Sequence, residues 1–298
     1  MSDRTESVTV IGDLMMDLIV QIPHLPVPGT DTQAEIGYHL GGAAGNVAAW
    51  LASLQIPTAI LGRVGCDPFG DETLRALDSA GITLHVTRDP DRSTGICISL
   101  VTPDGERTMM PDLGANAGLR PEHLIEQALP TGGHVHMSGY SLLHDETRIT
   151  ALGALDVARH RDMTVSIDAS SVEPLRAAGP ATFLGWIAPC SILFANAEEA
   201  LTLTGKDNPE SAALQLRDSA AVVVVKLGPD GALVAHGQTV THKPALPVES
   251  DVLDTTGAGD AFTAGFLRGW IRREGIDAAL EWGLDTAARA VASVGARP

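Results

Sequence analysis

Ala221-Val222-Val223-Val224-Val225-Lys226-Leu227-Gly228-Pro229-Asp230-Gly231 is the stretch on which the fold class turns. Five apolar residues in succession, four of them β-branched, end in a turn rich in Gly and Pro, which reads as a short strand. An unbroken apolar run, rather than an alternating one, means that both faces of the strand are covered, as in a parallel sheet flanked by helices. Similar runs occur at Val8 to Ile11, Thr58 to Leu61, Val165 to Ile167 and Ile192 to Phe194. Helical stretches stand among them at Asn46 to Leu54, Asp71 to Ser79, Glu146 to Arg159 and Asp260 to Arg272. Strands and helices in that order read as a layered α/β core with a mostly parallel sheet.

Two segments alternate with period two instead. In one, Ala34, Ile36, Tyr38 and Leu40 point one way and Gln33, Glu35, Gly37 and His39 the other. The second has Ile96, Ile98 and Leu100 on one face, a turn at Pro103-Asp104-Gly105, then Glu106 to Met110. One-sided strands of this kind can pair into a small antiparallel sheet projecting from the core, or form an ordinary edge of the main sheet.

The chain has 298 residues, 44% of them apolar, enough for one main domain with an appendage. A formal net charge of −17 argues against a nucleic-acid partner, because such binding depends on Lys and Arg neutralising phosphates. Cys66, Cys97 and Cys190 are odd in number and widely spaced, so neither a disulfide framework nor a zinc ribbon is expected, and a reducing cytoplasm fits. They read as buried small apolar residues, and Met15-Met16 and Met109-Met110 as packing. No signal-peptide pattern opens the sequence and no apolar run approaches the ~18 residues of a membrane helix, so a soluble protein without a membrane partner is expected.

The chemistry concentrates in Asp254-Thr255-Thr256-Gly257-Ala258-Gly259-Asp260, followed by the helix-forming Ala261 to Leu267. Small residues at a helix start let free N–H groups approach an anion, and the helix dipole favours negative charge there. Asp260 beside such a pocket is placed to take a proton from a hydroxyl attacking a phosphoryl group. Taken alone, Asp260 is equally an N-terminal cap on a glycine-rich turn. His134 and His136 share one face of a strand, but no further ligands accompany them, and they read as satisfied polar residues rather than a zinc site.

The Asp254–Asp260 segment belongs to a set. It resembles the C-terminal signature of the ribokinase-like, or PfkB carbohydrate kinase, family. Gly41-Gly42-Ala43-Ala44-Gly45-Asn46-Val47-Ala48, continuing to Gly62-Arg63-Val64-Gly65-Cys66-Asp67-Pro68-Phe69-Gly70, is similar to the N-terminal signature. The motifs occur in the family's order over nearly the whole chain.

The resemblance implies a three-layer α/β fold: a core of residues 1–13, 41–92 and 114–298, and a β-sheet lid of residues 14–40 and 93–113. It implies ATP as phosphoryl donor with Mg²⁺, and Asp260 as catalytic base with Gly257, Ala258 and Gly259 cradling the transferred group. Asp13 and Asp17, in Gly12-Asp13-Leu14-Met15-Met16-Asp17, would grip substrate hydroxyls with Gly41, Gly42 and Asn46; Asp168 is a further candidate for the substrate because it follows the strand Val165 to Ile167, and open α/β sheets place ligands at the carboxyl ends of strands. Asn196-Ala197-Glu198-Glu199 is similar to the family's Asn-x-x-Glu element, with Glu199 reaching Mg²⁺ through water. Asn196, Lys226, Gly228, Gly231, Thr256 and Gly259 would meet ATP, although Asp230-Gly231 also suits a hairpin. Residues matching Asp254 and Thr256 often help bind K⁺. In several relatives the lid forms a dimer contact, so the resemblance also implies a homodimer through the lid.

Two departures bear on these expectations. Ribokinases proper carry a Lys where this chain has Ala43-Ala44-Gly45, so ribose is not the default, and the stretch offers no cation for a sugar phosphate, although Arg63 or Arg107 can supply one from elsewhere. The expected acceptor is a free sugar or sugar-like molecule, phosphorylated at a primary hydroxyl, or a nucleoside of the adenosine or pseudouridine type. The sequence also stops at Pro298, shortly after Gly295-Ala296, where relatives usually continue. A non-catalytic sensor would retain the fold, but it has no need of Asp260 and its glycines.

Overall fold

The computed structural model describes residues 6–103, 107–123, 128–248 and 254–298. The strands are β1 (Val8–Ile11), β2 (Met15–Gln21), β3 (Glu35–Gly41), β4 (Thr58–Gly65), β5 (Thr83–Asp89), β6 (Gly95–Val101), β7 (Arg107–Asp112), β8 (His134–Ser138), β9 (Thr164–Asp168), β10 (Cys190–Asn196), β11 (Ala220–Lys226), β12 (Ala232–His236) and β13 (Thr239–Lys243). The helices are α1 (Ala43–Ser53), α2 (Pro68–Ser79), α3 (Tyr140–Leu143), α4 (Asp145–His160), α5 (Val172–Ala178), α6 (Pro180–Ile187), α7 (Ala197–Thr204), α8 (Pro209–Leu216), α9 (Ala258–Ile271) and α10 (Ile276–Ala290).

Nine strands form the main sheet in the order β13-β12-β11-β10-β9-β8-β1-β4-β5. The run from β11 to β5 is parallel, and only the hairpin partners β12 and β13 are antiparallel. Strand β11 shows why its apolar run is unbroken: Val223 and Val225 enter one hydrophobic cluster and Val222 and Val224 the other, on the opposite face of the sheet. Phe194 of β10 meets Phe266 of α9 edge to face with ring centroids 5.4 Å apart. Burying a side chain of that size stabilises the fold by about 1.5–3 kcal/mol.

From β1 the chain builds outward through β4 and β5, then returns to β8 and continues the other way to β11. Strand order therefore reverses between β1 and β8, and a crevice opens there at the carboxyl ends of the strands. Asp13 follows β1, Tyr140 follows β8, and Asp168, Asn196 and Lys226 end β9, β10 and β11.

The second sheet has the order β3-β2-β6-β7. The two alternating segments do pair into a separate sheet, but not an entirely antiparallel one. β3 and β7 are antiparallel to their neighbours, whereas β2 and β6 run parallel, Met15 against Gly95 through Gln21 against Val101. Two hairpins lie side by side with their first strands adjacent. Of the turn read at Pro103-Asp104-Gly105 and continuing to Glu106, residues 104–106 lie outside the described residues.

Two local expectations, those for Met109-Met110 and for Cys66, need correction. Met109 and Met110 are exposed on β7, the edge strand of the small sheet. Cys66 is exposed in the turn before α2, while Cys97 and Cys190 are buried. His134 and His136 are fully buried, with hydrogen bonds to Thr164 and Ser166. No cluster of three potential His, Cys, Asp or Glu metal ligands occurs among the described residues, and no helix among them is long and apolar enough to cross a membrane.

Candidate active site

A cleft of about 480 Å³ lies between the crevice and the inner face of the small sheet. The helix α9 aims its first turn into it. Gly257 precedes that helix at φ 72°, in the left-handed region, and a Cβ there would lie 2.6 Å from the Cβ of Ala296. Glycine alone permits both the turn and the approach. The first N–H groups of α9 have no intrahelical acceptor and face negative charge favourably. Asp260 sits in this first turn, and its Oδ2 accepts a hydrogen bond of 2.9 Å from Nδ2 of Asn46. Burial, with Asp168 adding repulsion, pushes the Asp260 carboxyl up to about 7, against the pull of the Asn46 hydrogen bond and of Lys226. A carboxyl poised there exchanges a proton near neutrality, as a general base must.

Lys226 lies on the other side of Gly259. Its Nζ donates to Oδ2 of Asp168 at 2.6 Å and would be 3.4 Å from a Cβ on Gly259. Burial works against its charge, but Asp168 and Glu199 more than offset that and raise its proton affinity. A fixed cation and a helix N-terminus thus converge on one spot, suited to a transferring phosphoryl group. His136 also borders the cleft. Burial pulls its imidazole down to about 4, so it stays neutral.

Asn196 and Glu199 form a capping box at the start of α7. Asn196 Oδ1 accepts from the Glu199 amide, and the Glu199 carboxylate accepts from the Asn196 amide and from its Nδ2, each at 2.8 Å. Glu199 is 3% exposed and its carboxyl is pushed upward by burial and by Asp168. Each of its oxygens accepts one hydrogen bond and keeps a further lone pair, and Glu199 borders the cleft, so this hard-oxygen donor fits a hydrated Mg²⁺.

At the opposite end, Asp13 and Asp17 face the cleft. Asp13 Oδ2 accepts from the Ala43 amide at 3.1 Å, fixing the chain into α1, whereas its Oδ1 is buried with no hydrogen-bond partner. Burial raises its proton affinity, as it does for Asp17, which the neighbouring Asp13 also helps push up to about 6. Gly41, paired beside β2, leaves the space that the Asp17 carboxylate fills; a Cβ there would overlap it. Two carboxylates, one with an unused buried oxygen, suit neighbouring hydroxyl donors. Around Asp17 the inner face of the small sheet contributes Met15, Cys97, Met109 and Pro111, with Leu113 just past β7, a largely apolar surface.

Of the residues singled out in the sequence, Asp13, Asp17, Gly42, Asn46, Asp168, Asn196, Glu199, Lys226, Gly228, Thr256, Gly257, Gly259 and Asp260 border this one cleft. Gly41, Ala258, Asp254 and Gly231 do not line it. Gly231 packs against the Lys243 carbonyl where β12 meets β13, and the Asp230-Gly231 turn does join β11 to β12. Asp254 is held by its surroundings: its Oδ1 accepts from the Thr256 amide at 2.8 Å and from Nη2 of Arg107 at 2.6 Å, its Oδ2 from the Gly295 amide at 3.1 Å. Burial opposes ionisation, but Thr256 and Arg107 hold the Asp254 carboxyl down at about 2. Arg107 of β7 also donates to the Thr256 hydroxyl, so the small sheet is tied to the glycine loop.

Sequence reasoning passed over Tyr140, His144 and Arg297. The first two follow β8, and the rule that ligands gather at the carboxyl ends of strands could have found them. Arg297 carries no local signal.

The profile of the pfkB family of carbohydrate kinases matches residues 5–298. The chain belongs to that family. It is 33% identical to an ATP-dependent ribose-1-phosphate kinase from Halopiger xanaduensis, over 96% of this chain and 92% of the relative. It is 28% identical to a deoxyribokinase from Salmonella typhi, over 92% and 89%. The crystal structure of adenosine kinase from Sinorhizobium meliloti superposes with a TM-score of 0.88 at 26% identity, covering 98% of this chain and 95% of the other. This pfkB kinase therefore has the ribokinase-like fold and is a phosphotransferase acting on a sugar or nucleoside with ATP.

Proposed function

We propose that this kinase phosphorylates the primary hydroxyl of a ribofuranosyl compound that carries a neutral group at C1, a nucleoside or related riboside. The observation that carries this is the acceptor end: Asp13, with its unused Oδ1, and Asp17 lie beside a largely apolar surface, the inner face of the small sheet from which Asp17 itself projects next to Met15 and Cys97. The carboxylates take vicinal ring hydroxyls, and the apolar surface takes a flat base. Kinship with a ribose-1-phosphate kinase and likeness to an adenosine kinase share the ribofuranosyl unit. That kinship also supports a second reading, in which a sugar phosphate is the acceptor.

In either case Asp260 takes the hydroxyl proton as the oxygen attacks the γ-phosphorus. The α9 N-terminus with Gly257, Ala258 and Gly259, together with Lys226, meets the charge spreading over the phosphoryl oxygens. Asn196, Gly228 and Thr256 lie on the nucleotide side, and Gly231 shapes the loop behind them. Glu199 would hold Mg²⁺ through water, and a bound Mg²⁺ would supply neutralisation of the phosphate charge. Residues 14–40 and 93–113 act as the lid, closing on the core of 1–13, 41–92 and 114–298 to exclude water.

The outer face of the lid supports a homodimer. Ile36, Tyr38 and Met110 are exposed there, in register with Val20, Leu18 and Ile98, a row of apolar side chains turned away from the cleft. K⁺ at Asp254 and Thr256 would share oxygens with the Arg107 guanidinium, so its binding requires that Arg107 swing out. A cytoplasmic location agrees with the ATP requirement and with the free thiols.

The test is ADP release with Mg-ATP and a panel of ribonucleosides, free pentoses and hexoses, and ribose 1-phosphate. Higher kcat/KM for a ribonucleoside than for free ribose or ribose 1-phosphate is expected. Preference for ribose 1-phosphate establishes the second reading, and preference for a free hexose overturns both.

A further inference from the structure

Three consecutive residues near the C-terminus connect both halves of the active site. The Gly295 amide donates to Asp254 Oδ2 at 3.1 Å. The Ala296 carbonyl accepts from Trp50 Nε1 at 3.0 Å, tying the segment to α1, and Ala296 packs against Gly257. Arg297 donates through Nη2 to the Gly41 carbonyl at 2.8 Å and through Nε to Asn46 Oδ1 at 3.3 Å. Its Nη1 is buried without a hydrogen-bond partner.

The Asn46 contact matters because an amide side chain can be placed either way round. With Nδ2 toward Asp260 it donates to the carboxylate; with Oδ1 there it repels it. A guanidinium only donates, so Arg297 Nε demands Oδ1 and thereby turns Nδ2 toward Asp260 Oδ2, where it lies at 2.9 Å. We propose that Arg297 is a positioning residue for phosphoryl transfer, which orients Asn46 toward the base and places a positive charge among the acceptor-end carboxylates. This role rests on the assignment of Asp260 as the base.

The charges around the base are Asp13, Asp168 and Lys226, in addition to Arg297. Lys226 is paired with Asp168 on the nucleotide side. Arg297 stands on the other side, where Asp17, Asp260 and Asp13 favour its charge. Burial lowers its pKa to about 10, so it remains a cation at neutral pH. Removing it leaves Asn46 free to flip and the carboxylates less neutralised, so the base holds its proton more tightly.

The test uses the full chain with Arg297→Ala, Arg297→Gln and Arg297→Lys, each checked for cooperative unfolding. In protein labelled with ¹³C at the Asp carboxyls, with the Asp260 signal assigned by its loss in Asp260→Asn, the Ala and Gln variants should titrate about half a pH unit or more above the parent. Arg297→Lys, which keeps the charge and a donor, should return toward the parent value. In the kinase assay the Ala variant should lose kcat roughly tenfold with the KM for ATP unchanged. A residue that merely anchored the C-terminus would leave the Asp260 titration in place, and an unmoved signal in a folded Ala variant overturns the proposal. The titration needs no acceptor, so a wrong acceptor class shows as a silent parent enzyme with the Asp260 shift still present. A base other than Asp260 shows as full parent activity in Asp260→Asn.

Discussion

Replacing Asp260 with Asn should stabilise this kinase while removing its activity, and the gain should depend on pH in a defined way. The Asp260 carboxyl ionises near 3.8 in the unfolded chain and at about 7 in the folded protein, because burial disfavours its charge. The folded state therefore binds this proton more tightly. Stability falls as pH rises from about 4, and the loss is complete once pH passes about 7. Three pH units at about 1.4 kcal/mol each give a ceiling of about 4 kcal/mol. Asp260 is only partly covered, since the cleft is open to water, so roughly half of that is expected, about 2 kcal/mol at pH 8. At pH 5.5 only about half of the titration span has been crossed, so about 1 kcal/mol is expected, and below pH 4 nothing. The variant's amide oxygen can still accept from Asn46, so that hydrogen bond does not confound the comparison. Urea unfolding of both proteins at pH 5.5 and pH 8 measures the difference. Equal stability at pH 8, or a gain of the same size at both pH values, would refute the claim that burial raises this carboxyl.

The acidic limb of kcat/KM should fall with an apparent pKa near 7, because a base must be ionised to accept a proton; a profile flat down to pH 5.5 would exclude Asp260 from that role. Arg107→Ala should make turnover respond more strongly to K⁺ than the parent does, measured against tetramethylammonium, because the guanidinium no longer competes for Asp254 and Thr256. Equal responses would show that K⁺ and Arg107 do not share those oxygens. Tyr38→Glu on the outer lid face should convert a dimer to monomer in sedimentation velocity at micromolar concentration, and a parent that is already monomeric would contradict the lid-face dimer.

Much of this architecture was legible because its signals are local. Unbroken apolar runs such as Ala221 to Val225 report burial on both faces, and the structure divides alternate valines between two clusters. The Asp254–Asp260 and Gly41–Asn46 segments declared themselves by small residues that a helix start or a close approach requires. Two features of the small sheet were harder to read. Its alternation revealed a separate sheet but not that β2 and β6 are parallel, because strand direction depends on how two hairpins dock. Nor did alternation say which face meets the cleft: the apolar residues Ile36 and Tyr38 point outward, while Asp17 and Cys97 look in. Cys66 and the Met109-Met110 pair were misjudged for a related reason, since apolar character favours burial but an edge strand or a turn can still leave such residues exposed. Arg297 lies 251 positions from Asn46 in the chain, and no pattern within a window of residues can announce such a contact.

The most direct test of the central claim is a single-turnover measurement with γ-labelled ATP, Mg²⁺ and the best acceptor of the panel, comparing the parent with Asp260→Ala. The parent should transfer label to the acceptor's primary hydroxyl. The variant should still bind both substrates but transfer at least ~100-fold more slowly, the expected cost of a lost general base. Transfer at an undiminished rate in the variant would contradict the assignment of Asp260 and the reading of the cleft built around it.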